Sequence, residues 1–159
     1  MITFRTETRS DDPDRVRDII VSTGFFYDIE VPVAIELVQD RIDYGEESGY
    51  HFLFADEDGE TLAYACFGPI AGADGSFDLY WIATHGGQRG KGIGTLLLGE
   101  VHETIRRMGG RLVIAETSSL EKYAPTRRFY LNAGYTEEAR IADFYKEGDG
   151  KVFFVRRFR

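Results

Sequence analysis

The segment Arg89-Gly-Lys-Gly-Ile-Gly94 places three glycines and two cations where a helix-like run, Ile93 to Met108, begins, directly after a strand-like run, Phe77 to Thr84. A helix start ordinarily carries Ser, Thr, Asp or Asn as a cap and acidic residues in its first turn, which satisfy open amides and the positive dipole end. Arg89 and Lys91 reverse that pattern. Cations there are unfavourable alone but become favourable once an anion sits among the exposed N–H groups. These residue types specify a phosphate or pyrophosphate cradle.

Spacing separates the candidate anions. A nucleoside-triphosphate loop needs four residues between its first Gly and the Gly-Lys pair, then Ser or Thr for magnesium. Gly86 to Gly90-Lys91 leaves three, and Gly92 stands where the hydroxyl is required. A dinucleotide fingerprint starting at Gly90-x-Gly92 needs Gly or Ala at position 95, which is Thr, although Glu116 stands at a strand end roughly where a ribose acid is expected. The pattern that fits is Arg/Gln-x-x-Gly-x-Gly/Ala, met by Arg89, Gly92 and Gly94.

The elements that position this turn follow from periodicity. Ile2 to Thr6 reads as a strand, and Ser10 as the N-cap of a first helix with Val16, Ile19 and Ile20 at helical spacing, ending near Gly24. Pro32 opens a second helix with the stripe Ala34, Leu37, Val38 and Ile42, running to about Asp43. Strands Tyr50 to Asp56 and Glu60 to Phe67 flank the hairpin signature Asp56-Glu-Asp-Gly59, and Phe77 to Thr84 is a fourth strand. The third helix carries Ile93, Leu96, Leu97, Val101, Ile105 and Met108 on one face and stops at Gly109-Gly110. Strand Arg111 to Glu116, helix Pro125 to Ala133, and strands Tyr135 to Ile141 and Lys151 to Phe158 complete the order β-α-α-β-β-β-α-β-α-β-β. That order predicts an α/β (α+β) fold: a mixed, mostly antiparallel seven-stranded sheet with about four helices on both faces. Strand four, helix three and strand five form its parallel crossover.

Composition bounds the rest. At 159 residues and 43% apolar the chain is expected to be one domain over 1–159. Its one cysteine, Cys66, lies in an apolar run, which excludes a disulfide framework and points to burial and a reducing, cytoplasmic setting. No apolar stretch reaches bilayer length, and a net charge of -8 argues against nucleic acid. Asp28 to Glu60 holds eleven acids against one Arg, whereas Arg89 to Arg128 holds eight Lys or Arg against four Glu. Either the acidic stretch is a solvated face, or a cationic substrate meets an anionic cofactor. His51, His85 and His102 show neither a paired acid nor metal-ligand spacing, so no metal is expected.

With the strand Asp78-Leu-Tyr-Trp-Ile-Ala-Thr84 before the turn and Thr126-Arg-Arg-Phe-Tyr-Leu-Asn-Ala-Gly-Tyr135 after it, the chain resembles the GNAT superfamily of acetyl-CoA-dependent N-acyltransferases. The likeness is densest from Phe77 to Lys146. It implies that the turn Arg89, Gly90, Lys91, Gly92, Ile93, Gly94 and Thr95 holds the CoA pyrophosphate. It also implies that Ile82, Ala83 and Thr84 pair through their backbone with the pantetheine arm. Ser118, with Ser119, is expected either to touch the arm or to cap the fourth helix. Phe129 is expected among the cofactor-binding residues, beside Tyr130, which matches the position whose hydroxyl serves similar enzymes as general acid. Asp78, eleven positions before Arg89, matches an acidic residue that removes the amine proton in some members, and Glu116 is its rival.

The resemblance implies an N-acetyltransferase moving an acetyl group from acetyl-CoA to a primary amine by direct attack in a ternary complex, with a small cationic acceptor suggested by the acidic stretch. The sequence leaves open a non-catalytic CoA-binding or regulatory module, a protein or peptide amine as acceptor, and a homodimer.

Overall fold

The computed structural model describes all 159 residues. Its elements follow the expected order: β1 Thr3–Arg5, α1 Asp12–Thr23, α2 Glu30–Tyr44, β2 His51–Glu57, β3 Glu60–Pro69, β4 Ser76–Thr84, α3 Ile93–Arg107, β5 Leu112–Ser118, α4 Ala124–Asn132, β6 Thr136–Lys146 and β7 Asp149–Arg157. The seven strands form one sheet in the order β1-β2-β3-β4-β5-β7-β6. β4 and β5 are parallel, as a strand-helix-strand crossover requires, and the β1-β2-β3 and β5-β7-β6 neighbours are antiparallel. The chain divides into two compact units, residues 1–68 with 81–104, and residues 69–80 with 105–159.

In the first unit the helical stripes do what their spacing predicts. Val16, Ile19 and Ile20 of α1 and Ala34 and Val38 of α2 form one core cluster with Phe52, Phe54, Tyr64, Cys66 and Ala83. Strand alternation puts Phe52 and Phe54 on one face, where their rings stack 5.8 Å apart. The β2–β3 turn has positive φ at both Asp58 and Gly59, the twist-matched geometry that the Asp-Gly pair signals. Cys66 is buried and unpaired, and burial pushes its thiol far above the ordinary range.

Two local expectations give way to tertiary forces. Asp11, not Ser10, occupies the N-cap position of α1, and it makes no side-chain cap bond. The reason lies one residue further on. Asp12, fully buried, takes a two-pronged ion pair from Arg5 at 2.9 and 3.0 Å and accepts the Arg9 N–H at 2.6 Å. Arg5 also donates to Asp56 at 2.8 Å and lies 4.2 Å over the Phe54 ring, so β1, α1 and β2 are tied by one charged knot. On α3 the buried positions are Ile93, Leu97, Leu98, Val101, His102 and Ile105, whereas Leu96, expected on that face, is 56% exposed and Met108 is also exposed.

In the second unit, β4 pairs with β5 from Ser76↔Leu112 to Leu79↔Ala115, and β5 pairs along its full length with β7. Gly110 follows α3 where no side chain fits: a Cβ there would meet Ile105 and Phe77. β6 is the outer strand, exposed throughout, and runs to Lys146 rather than ending at Ile141. Its register against β7 shifts between Ile141↔Lys151 and Lys146↔Asp149, so residues 142–145 form a bulge around Asp143, whose φ is +56°. No helix is long and apolar enough to cross a membrane.

Candidate active site

The first unit carries the glycine-rich turn. His85 fixes its start: its backbone N–H donates to the Leu62 carbonyl at 2.8 Å, and its Nδ1 accepts from Gly87 N–H at 3.0 Å. Gly86 donates to Ser22 Oγ at 2.9 Å so closely against α1 that a Cβ would collide with the Ser22 carbonyl oxygen. Arg89 is extended, its guanidinium 4.8 Å over the Phe25 ring, and Lys91 reaches Gln88 Oε1 at 3.1 Å. Gly90 and Gly92 then take φ of +79° and +78°, a conformation that costs a side-chain-bearing residue energy, although neither is crowded.

The first intrahelical bond of α3 is Leu96 N–H to the Gly92 carbonyl at 3.1 Å. The amides of Ile93, Gly94 and Thr95 precede it and have no partner within the protein, so the bare helix start read from sequence is bare in three dimensions. On β4, Ala83 is buried in the core cluster, while Ile82 and Thr84 are half-buried.

The second unit gathers the ionisable candidates. Tyr130 on α4 is 5% exposed, packed 5.2 Å from Tyr135, 5.4 Å from Phe129 and 5.8 Å from Phe154. The protein makes no hydrogen bond to its hydroxyl, and burial pushes that hydroxyl well above the ordinary phenol range. Asp78 on β4 is half-buried and has neither a hydrogen bond nor an ion pair. Burial, then the charge of Glu116, raise its carboxyl above the ordinary range, with Lys151 acting in the opposite direction. Glu116 is ion-paired to Lys151 at 2.9 Å. The rivals therefore differ in kind: Glu116 is tied, and Asp78 is free to take a proton.

Ser118 is committed internally. Its hydroxyl donates to the buried Asp149 and accepts the Leu120 N–H at 3.0 Å, while its carbonyl accepts from Arg127 at 2.8 Å. Ser119 Oγ accepts from Gly150 N–H at 2.8 Å. Neither serine caps α4, whose N-cap position is Tyr123. Lys151 is the residue that sequence reasoning passed over: its ammonium lies 4.0 Å over Phe144, 5.5 Å over Phe153 and 5.7 Å over Tyr145. The available signal was the pair Phe144-Tyr145 just across the β6–β7 turn from Lys151. No group of three or more His, Cys, Asp or Glu side chains is arranged to hold a metal.

Residues 48–137, more than half of the chain, match the model of the acetyltransferase (GNAT) domain. The chain belongs to the GNAT acetyltransferase family. Membership makes it an acyl-CoA-dependent N-acetyltransferase. A structure from Desulfovibrio desulfuricans assigned to the GNAT acetyltransferases is 44% identical, with a TM-score of 0.97 and 99% of each chain covered. Two more distant structures share the GNAT fold. The PaiA N-acetyltransferase of Thermoplasma acidophilum, in complex with coenzyme A, is 16% identical at a TM-score of 0.74, covering 99% of each chain. The ribosomal-protein-S18-alanine N-acetyltransferase of Escherichia coli is 16% identical at 0.78, covering 99% of this chain and 94% of its own. No curated protein matches the sequence.

Proposed function

We propose that this GNAT protein, acting as a single domain over 1–159, transfers the acetyl group of acetyl-CoA to a small cationic primary amine by direct attack in a ternary complex. The observation that carries the reading is the uncapped start of α3. Three open amides, two positive-φ glycines and the cations Arg89 and Lys91 suit a pyrophosphate and suit little else. In this reading the turn from Arg89 to Thr95 grips the pyrophosphate, and the backbone of Ile82 to Thr84 pairs with the pantetheine arm. Ser118 is the weaker member of the set, since its hydroxyl is already used by Asp149 and Leu120.

The chemistry needs a neutral amine, a polarised thioester and a proton for the departing thiolate. Asp78, the free carboxylate, receives the amine proton, directly or through a water. Tyr130 is the proton donor for the departing thiolate. A phenol near 10 already exceeds a thiol near 8.5 by about 1.5 units, or about 2 kcal/mol, and burial widens that gap. Tyr130 therefore acts first as a hydrogen-bond donor that stays protonated at every working pH, and yields its proton only as the thiolate charge develops. The cationic acceptor is supported by a surface groove of about 650 Å³ on α1 and α2, lined by Asp28, Glu36 and Asp40 with Arg17 as its one cation. Its field favours amine encounter, an effect that salt weakens.

Calorimetry with acetyl-CoA, followed by thiol release against a panel of monoamines, diamines and basic peptides at low and high salt, tests the reading. Binding with turnover of small cationic amines, and an amine KM that rises with salt, is the expected result. Binding with no release for any amine would favour a non-catalytic CoA-binding module. Release with peptides alone would move the acceptor to a protein terminus or side chain.

A further inference from the structure

Lys151 is ion-paired to Glu116 and opposes its effect on Asp78, and the fold holds it closely. Its side chain is 14% exposed. Register places it opposite Ser118 at the end of β5, one diagonal step from Glu116, on the same sheet face as Glu116 and Phe153. The bulge of β6 at residues 142–145 carries Phe144 and Tyr145, whose rings lie against the Lys151 ammonium, with Phe144 at 4.0 Å. Three aromatic rings and one carboxylate fix an otherwise flexible four-carbon stem, since cations are attracted to ring faces.

We propose that Lys151 is a positioning residue for acetyl transfer: caged by Phe144, Tyr145 and Phe153, it anchors Glu116 beside Asp78 and so sets the electrostatic environment in which Asp78 takes the amine proton. The proposal rests on the reading of Asp78 as the proton acceptor. The charged and titratable groups that face the pair are Glu116 on β5, Asp78 on β4 and Tyr145 on β6; Asp149 on β7 is turned to Ser118. The β4–β5 register sets Asp78 opposite Ile114, one diagonal step from Glu116 on the same sheet face, and Glu116 and Lys151 act on Asp78 in opposite senses. Loss of either partner should therefore move the Asp78 titration, and in opposite directions. No atom of Lys151 enters the reaction. The amine nitrogen forms the new bond to the acetyl carbon, the carbon–sulfur bond breaks, and the amine proton leaves through Asp78 to solvent.

The test is the pH titration of the Asp78 carboxyl by carbon-13 NMR, with the pH profile of kcat/KM for one acceptor amine, in the wild type, Lys151→Met, Lys151→Arg and Glu116→Gln. Lys151→Met keeps an apolar stem in the cage and removes the charge. It should raise the Asp78 midpoint by about one unit and carry the acidic limb of the profile with it. Lys151→Arg should restore both, and Glu116→Gln should lower the midpoint. An Asp78 midpoint unmoved in Lys151→Met overturns the proposal; should that variant not fold, a midpoint unmoved in Glu116→Gln does so instead. Asp78→Asn separates this from the underlying reading. If that variant keeps the full acidic limb, Asp78 is not the proton acceptor, whatever Lys151 does to its titration.

Discussion

Gly92→Ala isolates the backbone geometry of the cradle. Gly92 sits at φ +78°, and a Cβ there would meet nothing within 4 Å, so the substitution adds no clash and only conformational strain. Holding a non-glycine residue in this region costs roughly 1–2 kcal/mol, of which about 0.4–1 kcal/mol is returned by the stiffer unfolded chain. The net is about 1 kcal/mol, or a fall in Tm of about 2–4 °C for a chain of this length. The turn could instead relax to negative φ, which would swing the amides of Ile93, Gly94 and Thr95 off their ligand. Each lost charge-assisted hydrogen bond costs about 1.5–3 kcal/mol, more than the strain, so the ligand should hold the turn in place. Calorimetry should therefore show acetyl-CoA bound at most about tenfold more weakly, since 1.4 kcal/mol corresponds to tenfold. Acetyl-pantetheine, which lacks the pyrophosphate, should bind both forms alike. Equal losses for the two ligands, or a Tm and affinity both unchanged, would refute the reasoning.

Tyr130→Phe keeps the ring packing against Phe129, Tyr135 and Phe154 but removes the donor, so kcat should fall about a hundredfold or more while acetyl-CoA affinity stays nearly intact; normal turnover removes Tyr130 from the mechanism. Asp12→Ala strips the buried partner from Arg5 and should cost about 3–5 kcal/mol in urea unfolding, less to the extent that Asp56 retains the guanidinium. Asp78 has a folded-state pKa above its ordinary value, so its contribution to stability is complete at low pH and is lost as pH rises through the folded value. Asp78→Asn should accordingly gain thermal stability relative to wild type as pH rises above the ordinary carboxylate range, and a gap that narrows with rising pH contradicts the assignment. Gly86→Ala should destabilise the turn against α1 because its Cβ has no room beside the Ser22 carbonyl, and a wild-type Tm in that variant counts against the close approach.

The elements that were legible in sequence are those whose signals are local. The turn Arg89 to Thr95 announced itself because an uncapped, cationic helix start is costly without a ligand, and the Asp-Gly hairpin because its φ values admit few residues. Other features depend on residues distant in sequence. Ser10 looked like the cap of α1 because nothing local shows that Arg5, which also donates to Asp56, claims the neighbouring Asp12. Leu96, Leu97 and Leu98 are consecutive, so periodicity alone could not place the edge of the buried face of α3. Asp78 and Glu116 stood as rival carboxylates in the sequence, and the ion pair from Lys151, set by the β5–β7 register, shows which of them is tied.

The bulge in β6 has a second effect, on solubility. An outer strand eleven residues long with Ile141, Phe144 and Tyr145 exposed would ordinarily offer its unpaired amides and carbonyls to any passing extended chain. The bulge at residues 142–145, with its positive-φ Asp143, interrupts the regular spacing of those groups after Ile141. The same irregularity that lays two rings over Lys151 thus shortens the template available for edge-to-edge aggregation to the charged stretch from Thr136 to Ile141.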